Sequence, residues 1–174
     1  EQGEVDLLPL CADLLRIRLQ RGQLIFKDHL AVIEQPPDQR GLFHEKDIES
    51  LKGYKKLLDT EFAFNIAKKA KVNTSSTRSN SPVYSGKMIT DGKKDTYWAT
   101  DDDLNTGSFE IDLGKTAKVK YIVLQEYIRL GQRVKAFTVD IWKDGTWQKV
   151  AGATTIGYKR ILRIDPVSTS KIRV

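Results

Sequence analysis

The 174-residue chain carries 29 Lys and Arg against 23 Asp and Glu, a net charge of +6, with 40% hydrophobic and 30% charged residues. That length can bury a core for one or two domains, and the balance argues against a disordered chain or a membrane span. The basic residues are scattered, with no basic helix interleaved with aromatics, which argues against a nucleic-acid interface, and the single Cys11 rules out an internal disulfide.

The first 35 residues are hard to read. Leu7, Leu8, Leu10, Leu14, Leu15, Ile17 and Leu19 can form an apolar helical stripe, with Pro9 near the helix start. Leu24-Ile25-Phe26 and Leu30-Ala31-Val32-Ile33 read as short strands or one buried segment. Cys11 reads as a structural thiol, and His29 and His44 as isolated surface or packing residues, since no Cys/His spacing suits zinc. The chain opens on Glu1 without the pattern of a signal peptide. It stops at Val174 inside a strand pattern, and both ends suggest a piece of something longer.

Pro36-Pro37-Asp38-Gln39-Arg40-Gly41 has the chemistry of a turn. Beyond it Ile48, Leu51, Tyr54, Leu58 and Phe62 recur at helical steps and predict a helix over 44–62 with one apolar face. Asp47 and Glu49 early, and Lys52, Lys55 and Lys56 later, suit the helix dipole. A boundary follows at about residue 65, and the Ser, Thr and Asn of 73–81 predict a loop.

From there period two dominates. Phe109, Ile111 and Leu113 alternate with polar neighbours, and 118–124 reads as a strand buried on both faces near its centre. Phe137, Val139 and Ile141 alternate in the next strand, and Asp144-Gly145 makes a hairpin turn toward Trp147-Gln148-Lys149-Val150. Leu162 and Ile164 share one face of a further strand that Asp165-Pro166 is expected to break, with another beginning at Ile172. Short strands at regular spacing predict a β-sandwich.

The loop at 89–100 holds the candidate metal chemistry. Asp91, Asp95 and Thr96 supply oxygen donors of the kind calcium prefers; the same residues equally form an Asp-Gly turn that caps a strand. Sugar recognition needs an aromatic surface for the C–H face of the ring and planar polar groups for its hydroxyls. Tyr127, Arg129, Tyr158 and Lys159 are the carbohydrate-binding candidates. Trp98 more plausibly seals the core, and Trp142 and Trp147 pack together across their hairpin. Glu126 and Arg133 suggest a charge-assisted pair bracing the loop between two strands. Asp101-Asp102-Asp103 is a solvated or cation-linked loop rather than a catalytic cluster. The loops 73–81 and 101–106 are polar apart from Leu104, which argues against adhesion to phospholipid or protein through apolar loop tips.

The runs Thr90-Asp91-Gly92, Asp95-Thr96-Tyr97-Trp98 and Phe109-Glu110-Ile111-Asp112-Leu113-Gly114 resemble the start of a coagulation factor V/VIII type C (discoidin) domain. The stretch from Gln125-Glu126-Tyr127-Ile128-Arg129 to Val134-Lys135-Ala136-Phe137, and then Thr154-Thr155-Ile156-Gly157-Tyr158-Lys159-Arg160-Ile161, are similar to discoidin-like modules at the C-terminal end of bacterial α-L-fucosidases of glycoside hydrolase family 29. The resemblance implies a mainly β fold: a discoidin-like jelly-roll β-sandwich over 65–174, truncated at its last strand, after a helical remnant of a (β/α)8 barrel over 1–64. It implies that the parent enzyme is a retaining glycosidase whose two catalytic carboxylates sit on the barrel. No position here matches the family's nucleophile motif. On this reading the segment is non-catalytic and supports the barrel or binds fucosylated glycans or other carbohydrate. The alternative is a stand-alone carbohydrate-binding or adhesion module. The resemblance further implies a periplasmic or secreted protein and a structural calcium ion. Separated from a barrel, the helix at 44–62 is expected to expose its stripe or fold against 1–35.

Overall fold

The computed structural model describes residues 16–20, 41–42 and 45–174; Cys11, His29, His44 and the segments expected at 24–26 and 30–33 lie outside them. The chain runs β1 (Arg16–Gln20), α1 (Glu45–Glu61), β2 (Lys71–Thr74), β3 (Phe109–Gln125), β4 (Phe137–Lys143), β5 (Thr146–Ala153) and β6 (Arg160–Arg173). All pairings are antiparallel. The sheet order is β1-β3-β6-β4-β5, with β2 also on β3.

Residues 16–20 correct one expectation. Ile17 and Leu19, placed above on a helical stripe, lie in a strand whose register sets Ile17 opposite Leu124 and Leu19 opposite Ile122. Strand pairing with the apolar half of β3 overrides a local pattern compatible with either periodicity. The rest of the proposed stripe lies outside the described residues.

Helix α1 matches the predicted span. Its lysines stop short of the last turn, which holds Asp59 and Glu61. Leu51, Tyr54, Leu58 and Phe62 are half-buried, while Ile48 and Leu57 are exposed. Phe62, just past the helix, packs its ring 5.5 Å from that of Tyr121 on β3.

Two strands expected at 109–113 and 118–124 form one, with a register shift between Asp112 and Ala117 that bends β3. The loop expected at 73–81 begins later, because Asn73 and Thr74 belong to β2 and pair with Glu110 and Phe109. Nor does Pro166 end a strand: β6 continues through it. The proline falls where the register shifts between Val119 and Tyr121, so its missing N–H costs no ladder bond.

The β4–β5 turn is as predicted. Asp144 and Gly145 both have positive φ, 51° and 77°, the geometry that matches the twist of flanking strands in a two-residue hairpin. The core is one cluster drawing Phe109, Ile111, Val119, Ile122 and Leu124 from β3, Val139 and Ile141 from β4, and Ile172 from β6. Trp98 closes it, 1% exposed; its ring meets Phe109 edge-on at 5.6 Å, and its indole N–H donates to the Ser76 carbonyl at 2.9 Å.

Candidate functional site

Where β3 ends, the chain turns sharply, and the turn is held by one carboxylate. Glu126 is 5% exposed. Its Oε1 accepts the backbone N–H of Arg133 at 2.9 Å and of Val134 at 2.8 Å, and its Oε2 accepts that of Gly157 at 2.5 Å. The Glu126 N–H donates in turn to the Gly157 carbonyl at 2.9 Å. Gly157 has φ +65°, a conformation that a side chain would strain.

Glu126 and Arg133 are therefore neighbours, as the sequence suggested, but by a different contact. The bond runs from the main chain of Arg133, while its guanidinium donates to the Leu130 carbonyl at 3.0 and 3.2 Å. A carboxylate in this position satisfies amides of two loops at once, which a salt bridge alone would leave unpaired.

Above this clamp lies a cleft of about 180 Å³ lined by Lys94, Asp95, Thr96, Tyr97, Gln125, Glu126, Tyr127, Ile128, Arg129 and Tyr158. Tyr127 stacks on Tyr97 at 4.9 Å, and Tyr97 packs against Tyr84 at 5.3 Å. Arg129 sits 5.8 Å from the Tyr127 ring centre and Arg78 5.7 Å from that of Tyr84, so a cation ends the ladder on each side. The rings brace one another along the wall of the cleft.

The structure thus brings Tyr127, Arg129 and Tyr158 together with Asp95 and Thr96; the exposed Lys159 lies outside the lining. Tyr97, Lys94, Gln125 and Ile128 were missed. Tyr97 stood in the quoted Asp95-Thr96-Tyr97-Trp98 run, whose alternation places Trp98 inward and Tyr97 outward. That alternation was the available signal.

The proposed calcium ligands are arranged differently from a shared site. Asp91 Oδ2 accepts the Thr96 hydroxyl at 2.6 Å, and its Oδ1 accepts the Lys93 N–H at 2.8 Å. Asp95 faces Arg129 at 3.5 Å. Among the described residues no three His, Cys, Asp or Glu side chains group as metal ligands. The loop closes through its own donors.

In the Asp101-Asp102-Asp103 run, Asp101 accepts the Ser79 N–H at 2.6 Å and Asp102 pairs with Arg78. These bonds pin the two polar loops together. Among the described residues no helix is long and apolar enough to cross a membrane.

A mainly β antiparallel domain with an aromatic, charge-edged cleft at a loop-bearing end has the architecture of a discoidin-like domain. The chain belongs to the F5/8 type C family: the model for the NedA-like, galactose-binding domain matches residues 88–174. It is 31% identical over 145 residues to "Alpha-L-fucosidase 1" of Arabidopsis thaliana, a match covering 82% of this chain and 29% of that protein. Its fold matches a Ruminococcus gnavus GH29 fucosidase solved in complex with fucose, at TM-score 0.73 and 29% identity, covering 80% of this chain and 28% of the other. The structure named SpGH29 matches at TM-score 0.70 and 37% identity, covering 79% and 30%. The chain therefore spans under a third of the length of each of these three fucosidase-related chains.

Proposed function

We propose that the chain is the non-catalytic, C-terminal β-domain of an α-L-fucosidase and that it binds carbohydrate in the cleft at Tyr127. The parent enzyme would be a retaining glycosidase releasing α-linked L-fucose from glycans, with its catalytic carboxylates elsewhere on a barrel. The reading rests above all on the cleft itself. The exposed Tyr158 ring lines the cleft with the Tyr127 edge, a planar guanidinium and the Asp95 carboxylate, which is the mixture that sugar hydroxyls and C–H faces require.

The fucosidase relatives support the identity of the parent, and α1 supports contact with a barrel. Leu42, Ile48, Leu57 and Phe64, 37% to 79% exposed, lie on or beside the helix, apolar surface that a neighbouring domain would cover. On this reading residues 1–64 are the barrel's end and 65–174 the β-domain, in a periplasmic or secreted protein. A stand-alone carbohydrate-binding or adhesion module is the alternative.

Titration calorimetry with methyl α-L-fucoside and lactose tests the cleft. Tyr127→Ala removes the ring that holds Tyr97 and Arg129 in the cleft wall; it is expected to weaken binding of whichever sugar binds by about tenfold and to lower the melting temperature without unfolding the domain. Unaltered affinity would remove the cleft from the proposal.

Calcium at the Asp91 loop belongs to the proposal as a structural ion. Asp91, Asp95 and Thr96 with backbone carbonyls offer hard oxygen donors, once Thr96 and Asp95 are released from Asp91 and Arg129. A bound ion is expected to raise the melting temperature in millimolar calcium, an increase that Asp91→Asn abolishes. No increase would leave Asp91 as a turn residue.

A further inference from the structure

We propose that the β4–β5 hairpin carries a second carbohydrate-binding site, taking one pyranose ring of a neutral oligosaccharide on Trp142 and Trp147. The hairpin lies away from the cleft. The Thr169 hydroxyl donates to the Trp142 carbonyl at 2.8 Å, and Thr169 pairs with Ala117, whereas the cleft opens beyond the Leu124–Arg160 pair. Between those two pairs β3 runs roughly 20 Å at about 3.3 Å per residue.

Three observations carry the proposal. First, the two indoles meet edge-on at 5.3 Å, and Trp142 stays 36% exposed. Second, the Arg173 guanidinium lies 4.5 Å from the Trp147 ring centre and is held there through Nε and Nη2, which both donate to Asp140 Oδ2, at 3.1 and 2.8 Å. Asp140 Oδ1 and Arg173 Nη1 keep no partner among the described residues. That leaves a carboxylate acceptor on Asp140 and a guanidinium donor on Arg173 near the indole pair, each able to bond a sugar hydroxyl. Third, neither the Trp142 nor the Trp147 indole N–H has an acceptor among the described residues, whereas Trp98 uses its own on Ser76. A neutral ligand is favoured because Arg173 is already offset by Asp140.

The three indole N–H signals make the test direct. In a nitrogen-proton correlation titration with fucosyllactose, the Trp142 and Trp147 signals are expected to shift with saturation while that of buried Trp98 stays still. The shifts should persist in Tyr127→Ala and weaken at least about tenfold in Trp142→Ala. Static Trp142 and Trp147 signals would overturn the proposal. So would shifts that disappear in Tyr127→Ala, because they would then report the cleft. The wild-type and Tyr127→Ala titrations decide the matter even if Trp142→Ala folds poorly, and either site can fail without the other.

Discussion

Glu126→Gln is expected to lower the stability of the domain by about 3 kcal/mol, measured by urea unfolding at neutral pH. The carboxylate accepts three backbone amides from two loops while 5% exposed. A glutamine oxygen can keep the Arg133 and Val134 N–H groups. Its NH₂ then faces the Gly157 N–H, donor against donor, in a site too buried for water to repair. Arg133→Ala is expected to cost about 1 kcal/mol, because the amide that Glu126 holds belongs to the main chain and survives, while the guanidinium bonds to the Leu130 carbonyl are lost. If the two variants were equally damaging, the brace would be a side-chain ion pair after all. Glu126→Gln should also weaken sugar binding, since Tyr127 follows Glu126 itself and Tyr158 follows the clamped Gly157.

Lys120→Met is expected to stabilise the domain by about 2 kcal/mol at neutral pH, with the gain shrinking as pH rises. Lys120 is 5% exposed on β3, and its Nζ has no hydrogen-bond partner among the described residues. Burial pushes its pKa below the ordinary lysine value; the Glu61 carboxylate pulls the other way, and Arg163 and Lys118 add to the lowering. A lysine whose folded pKa is depressed binds fewer protons in the native than in the unfolded state between the two pKa values, so stability rises with pH across that window. The burden is full below the folded pKa and lifts toward the unfolded value of about 10.4. Wild type should therefore gain stability relative to Lys120→Met on going from pH 7 to pH 10. A variant less stable than wild type at neutral pH would mean that the charge is needed beside Glu61, the buried end of α1.

What the chain determined by itself was local. Apolar alternation marked β3, β4 and β5, the Asp144-Gly145 pair specified its hairpin, and the helical stripe marked α1, because each depends on neighbours a few residues apart. Trp98 was legible as a core residue, and Glu126 and Arg133 as neighbours. Tertiary structure decided the rest, since it depends on which distant segments meet. The 16–20 segment became a strand once β3 offered an edge, Pro166 was absorbed by a register shift, and Lys120 was buried near Glu61 and Arg163, which lie far from it in sequence. The cleft was assembled from three separate stretches, at 94–97, 125–129 and 158. Tyr97 could join it only by stacking on Tyr127, a contact across thirty positions of sequence that no local period encodes.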